Sequence, residues 1–130
     1  DVTPSGTSSS FLIKIRENGS ALSTSVYNKQ NLKASSTTVS ADRETAQARW
    51  NLENTNSTNQ ETIILEITDI FGGQAKSIIT QHNRASGSST ILEYSVANVD
   101  TASDYDGISL QMTGGPTFSG SVSIYGYAKA

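Results

Sequence analysis

Apolar residues recur at every second position along much of the chain. Phe11, Ile13 and Ile15 alternate with Lys14 and Arg16, the two-residue repeat of a half-buried strand. Asn18-Gly19 follows, a pair that accepts positive φ cheaply and so predicts a reversal near residues 17–20 and a return through Leu22 to Tyr27. Residues 31–40, with Leu32 and Val39 among Ser and Thr, predict an edge strand or a loop. Ser40 or Asp42 could cap a helix over the next stretch. Against a helix, Ala46, Ala48, Trp50 and Leu52 alternate with Gln47, Arg49, Asn51 and Glu53, and a strand is predicted there. Residues 51–60 are rich in Asn and Thr and read as a surface loop.

The second half carries the same period. Ile63, Leu65 and Ile67 share a face, Gly72-Gly73 interrupts, and residues 76–82 resume around Ile78 and Ile79. A Gly/Ser turn over residues 84–89 precedes the alternating Leu92, Tyr94 and Val96, and a polar loop spans residues 98–106. Ile108, Leu110 and Met112 alternate next, Gly114-Gly115-Pro116 turns the chain, and Val122 and Ile124 close the pattern. Short strands at this spacing predict an all-β fold, an antiparallel two-sheet sandwich of jelly-roll topology with about eight strands. Its expected core is Phe11, Ile13, Ile15, Trp50, Ile63, Leu65, Ile67, Leu110, Met112, Val122 and Ile124. Residues 1–10 are polar, without the basic-then-apolar order of a signal peptide, and read as a flexible lead-in to a single domain over residues 11–130.

Composition narrows the chemistry. Nine Lys and Arg against twelve Asp and Glu leave a net charge of −3, which offers no footprint for a nucleic-acid backbone. There is no Cys and only one His, so disulfide frameworks, thiolate metal sites and thiol nucleophiles are excluded, and no cofactor is expected. No stretch approaches the ~18 apolar residues of a membrane-spanning helix, so membrane insertion is not expected. Polarity is carried by 36 Ser and Thr, a neutral, hydroxyl-rich surface that suits β proteins outside the cytosol.

Few side chains are candidates for chemistry. His82, between Gln81 and Asn83, reads as a polar surface histidine at a strand end, with no neighbouring nucleophile or orienting group. Asp100, Asp104 and Asp106 share a loop that could offer oxygen ligands to calcium but lacks the EF-hand spacing. Two acids in one loop do not flank a glycosidic bond from opposite sides. Trp50, on the apolar face of its segment, is expected in the core. Among Tyr27, Tyr94, Tyr105, Tyr125 and Tyr127, the pair Tyr125 and Tyr127 is expected to form a subunit contact. Asn18-Gly19-Ser20 and Asn56-Ser57-Thr58 fit the N-glycosylation acceptor, triplets that arise by chance in such a chain. Phosphate-loop, dinucleotide-fingerprint and nucleophile-elbow motifs are lacking. No catalytic or metal-ligating residue is assigned, and the binding residues stay open.

The C-terminal run supplies a resemblance. Tyr105-Asp106-Gly107-Ile108-Ser109-Leu110, then Gly114-Gly115-Pro116, then residues 118–126, Phe-Ser-Gly-Ser-Val-Ser-Ile-Tyr-Gly, resemble the ending of jelly-roll structural modules in tailed-bacteriophage virions. The upstream order of residues 61–67, 76–80 and 91–96 is similar as well. That resemblance implies a non-enzymatic virion protein of fibre, spike, collar or surface-decoration type, in a virion or extracellular setting. It implies a homo-oligomer, commonly a trimer, in contact with other virion proteins and, in some members, with host surface glycans. Two other functions compete. A carbohydrate-binding module of a secreted bacterial protein would display aromatic rings in a concave groove, and a small hydrolase would bring Asp104, Asp106 and His82 together.

Overall fold

The computed structural model describes residues 1–5, 9–22, 24–55, 60–68, 76–86, 89–99, 101, 104–113 and 117–126. None of these is helical. The strands are β1 (Val2–Pro4), β2 (Ser9–Glu17), β3 (Ser20–Ala21), β4 (Tyr27–Ser35), β5 (Thr38–Gln47), β6 (Trp50–Thr55), β7 (Thr62–Thr68), β8 (Lys76–Ser86), β9 (Ser89–Val99), β10 (Gly107–Met112) and β11 (Phe118–Gly120). With the two- and three-residue strands β1, β3 and β11 set aside, eight longer ones remain.

Two antiparallel sheets form the sandwich. The larger has the order β5-β4-β9-β8-β7. In the smaller, β2 pairs with β10 along one side and with β3 and β6 in succession along the other. The segment expected as a lead-in supplies β1, which pairs with β11, and the start of β2. Leu32 lies on β4, an interior strand rather than an edge.

The β2–β3 reversal falls where Asn18-Gly19 predicts it. Asn18 and Gly19 have φ of 51° and 75°, a left-handed pair that suits a tight hairpin. The Gly19 amide donates to Asp106 Oδ2 at 2.5 Å, and the Arg16 guanidinium donates to the Gly19 carbonyl.

The predicted strand over residues 40–52 is two strands in different sheets. Ala46, with φ 53°, lies at a bulge in β5, whose last pair is Gln47 opposite Tyr27, and after residues 48–49 Trp50 begins β6 on the other layer. Ala46 and Ala48 are therefore exposed, whereas Trp50 and Leu52 are buried. The break has a steric cause. A residue in the left-handed region inserts an extra position into the pleat and shifts the alternation across it.

Phe11, Ile13, Ile15 and Trp50 are buried as expected, with Ile63, Leu65, Ile67, Leu110 and Met112 packed against them. Tyr27, Leu52, Ile78, Ala97, Val99 and Tyr105 complete that core. Val122 and Ile124 are a correction. They follow β11 in a segment without strand pairing and are 62% and 87% exposed. Their alternation finds no partner strand, and alternation buries nothing until a neighbouring layer covers it.

Candidate functional site

The inward face of the five-stranded sheet divides into an apolar end and a charged end. Tyr27 lies opposite Val99 and Ile78 opposite Ala97, which gives the apolar end. Two residues further along each strand the side chains are polar. Asn31, Ser95 and Thr80 form one row across β4, β9 and β8, and Glu93 and His82 lie opposite each other in the next. Lys29, Asn31, Glu61, Thr80, His82, Arg84, Glu93 and Ser95 are each 6% exposed or less. Charged groups persist in such a place only when they are paired and hydrogen-bonded.

His82 is the centre of the cluster. Its Nε2 is 2.8 Å from Glu61 Oε2, a charge-assisted hydrogen bond when the ring is protonated. Nδ1 faces Glu93 Oε2 at 3.7 Å, an ion-pair separation too long for a direct hydrogen bond. Glu93 Oε1 is 3.8 Å from Lys29 Nζ. The Ser95 hydroxyl lies 3.0 Å from Asn31 Oδ1 and 3.3 Å from Glu93 Oε1. It has one proton and donates to one of them at a time. Lys29 Nζ donates to the Asn51 carbonyl on β6 at 2.9 Å, which ties the two sheets together. It also lies 3.7 Å from Glu44 Oε1 on β5. Asn31 Nδ2 donates to Asp42 Oδ1 at 3.1 Å.

Burial alone would push the His82 imidazole below its ordinary value of 6.5. The Glu61 hydrogen bond and the adjacent Glu93 carboxylate outweigh it, and the value is raised. Two carboxylates thus favour the protonated form of a ring that solvent does not reach. Toward β5 the cluster borders an open cleft of about 250 Å³ lined by Ser10, Lys29, Asn31, Asp42, Glu44, Asn51 and Leu52. The cleft presents amides, carboxylates and an ammonium group and no aromatic ring.

His82 therefore belongs to the interior, against the sequence expectation of a polar surface position. The reason is strand length, because β8 runs to Ser86 and places His82 in mid-strand with its side chain inward. It meets Glu61 and Glu93, and not Asp104 or Asp106. Asp106 caps the β2–β3 turn through Gly19, and Asp104 is exposed. Asp100 lies outside the described residues. Among the described residues, no group of three or more His, Cys, Asp or Glu is placed to hold a metal ion.

Of the rings, Trp50, Tyr27 and Tyr105 are buried. The Tyr27 hydroxyl accepts from the Ile15 amide at 2.9 Å, and Tyr105 pairs with the Thr101 hydroxyl. Tyr94, at 44% exposure, lies on the outward face of the large sheet, and Tyr125 is almost fully exposed. Tyr127 and the triplet at Asn56 lie outside the described residues. The cluster itself was missed because its signal is weak. Lys29-x-Asn31, Thr80-x-His82-x-Arg84 and Glu93-x-Ser95 are period-two polar sets. On β9 they alternate with Leu92, Tyr94 and Val96, and on β4 and β8 the intervening Gln30, Gln81 and Asn83 are polar as well, so in neither case does the pattern say which phase faces inward.

Comparison of the chain with protein-family models, curated proteins and solved structures gave no match.

Proposed function

We propose that this chain is a non-enzymatic structural module of a tailed-bacteriophage virion, of the fibre, spike or surface-decoration kind. It works by assembling with further copies of itself and with other virion proteins, and its loops are free to touch a host surface. The observation that carries this reading is the placement of the ionisable side chains most capable of chemistry. His82, Glu61 and Glu93 are closed between the sheets, with His82 hydrogen-bonded to Glu61 and at ion-pair distance from Glu93, which in turn faces Lys29 at the border of the cleft. A catalytic base must instead reach a substrate proton. The C-terminal run from Tyr105 to Gly126 supports the virion assignment by its resemblance to such modules.

Carbohydrate binding has less support. The cleft beside Lys29 lacks the aromatic platform that stacks on sugar faces, and Tyr94 stands on an open sheet rather than in a groove. Imaging of the native assembly, with an antibody against this chain, tests the proposal. Many copies repeating with rotational symmetry on a particle are expected. Recovery of the chain only as a free secreted protein would overturn it.

A further inference from the structure

The outward face of the five-stranded sheet carries an apolar patch among Gln30, Gln81 and Asn83, where a lone sandwich would be polar throughout. Leu32, Ile64, Leu92, Tyr94 and Val96 lie on it, each between 40% and 57% exposed, with Ile79 among them. They are contiguous across β4, β9, β8 and β7 and form a patch of the kind that marks an interaction site.

The charges at its margins indicate what covers it. One row of the face reads Arg43, Gln30, Val96, Ile79, Glu66 across β5, β4, β9, β8 and β7. Arg43 and Glu66 are exposed and stand at opposite edges of the same row, each about 10 Å from the central strand β9. A two-fold axis running along β9 in the plane of the face lays a second copy on the first. It keeps every row level and exchanges the two edges, so each Arg43 meets the other copy's Glu66. Leu92, Tyr94 and Val96 lie on the axis and meet their own counterparts. Five strands at ~4.8 Å and the three rows of Val96, Tyr94 and Leu92 at ~7 Å give roughly 500 Å² per copy, or roughly 1,000 Å² in the pair, the size of a weak, reversible interface. A two-fold interface requires a self-complementary patch, and this one is apolar in the middle with opposite charges at its two edges.

We propose that the outward face of the five-stranded sheet pairs with the same face of a second copy of this chain, about a two-fold axis along β9, with Arg43 of each copy on Glu66 of the other. This rests on the reading of the chain as an assembling module and adds which surface does the assembling.

Sedimentation of the purified full chain and its charge variants tests the pairing. A dimer is expected. Arg43→Glu alone and Glu66→Arg alone each place like charges together at both ends of the interface and raise the dissociation constant roughly tenfold or more. The double variant restores the pairs and returns the constant to within about threefold of the parent. The substituted residues are exposed, and a circular-dichroism spectrum identical to the parent's confirms that each variant is folded. Independently, Val96→Cys places one thiol per copy on the axis of a cysteine-free chain, and because stacked sheets lie about 10 Å apart, too far for a disulfide, a short bis-maleimide cross-linker is expected to give a covalent dimer.

A monomer at high concentration, with the face open or covered by the chain's own C-terminal residues, would overturn the pairing. So would single charge variants that dimerise like the parent, or a double variant that fails to recover. A trimer indifferent to both charges would overturn the pairing and leave the virion reading intact. Conversely, a dimer that recovers as expected, from a protein never found on particles, would sustain the pairing while the virion reading fell.

Discussion

His82 shows how one side chain is held by its surroundings. Its Nε2 lies 2.8 Å from Glu61 and its Nδ1 3.7 Å from Glu93, and truncation to alanine would leave the buried Glu61 carboxylate without its partner and Glu93 with Lys29 alone at 3.8 Å. His82→Ala is expected to cost about 3–5 kcal/mol, the range for breaking a buried pair, as measured by urea denaturation at pH 6. The pH dependence follows from the raised value. Below about pH 6.5 the ring is charged in both the folded and the unfolded chain, and the ion-pair contribution is complete. As pH rises past 6.5 the unfolded chain loses its proton first. The contribution then declines and is gone once pH has passed the folded value. Stability is therefore expected to fall across this window in the parent, and the His82 component of that slope should vanish in His82→Ala. Tyr27 acts at the apolar end. Its hydroxyl accepts the buried Ile15 amide, so Tyr27→Phe orphans that donor and should cost about 1–3 kcal/mol in the same measurement.

Among the elements, the β5–β6 corner is the most instructive. Ala46 holds φ 53° and donates its amide to Asn28 Oδ1 at 3.0 Å. Glycine at that position would remove the left-handed penalty at some cost in chain entropy, so Ala46→Gly is expected to stabilise by up to about 1 kcal/mol in thermal denaturation. The sequence placed strands in most of the right segments, because Phe11, Ile13 and Ile15 and then Ile63, Leu65 and Ile67 recur at a period of two, even though Leu12 and Ile64 interrupt the polar phase. It also located the Asn18-Gly19 reversal from the residue types that tolerate positive φ. It missed the corner because residues 46–49, Ala-Gln-Ala-Arg, hold no Gly, Pro, Asn or Asp to signal a bulge or a turn. It misplaced Val122 and Ile124 because a period of two reports strand-like alternation and not the presence of a partner. The charged cluster stayed hidden for a related reason. On β9, Leu92, Tyr94 and Val96 are the larger apolar set and yet point outward, while Glu93 and Ser95 point inward. Only the position of the second sheet decides between the two phases.

At the scale of the whole molecule, the sandwich is held by an apolar core at one end and a charge cluster at the other, with Lys29 bonded across the layers to the Asn51 carbonyl. Strand β9 is paired on both sides along its length, whereas β5 and β7 are edges. Amide hydrogen exchange is accordingly expected to be slowest in β9 and its neighbours β4 and β8, and fastest at the outer side of β5. All of this depends on the larger sheet turning Lys29, His82 and Glu93 toward the other layer and Leu32, Leu92 and Tyr94 away from it. Nuclear magnetic resonance titration of the only imidazole in the chain reads that orientation directly. A midpoint above 6.5, with a ring N–H that exchanges slowly with water, is the result expected of His82 enclosed by Glu61 and Glu93. A midpoint at or below 6.5, with a freely exchanging ring, would place His82 outside and contradict the account.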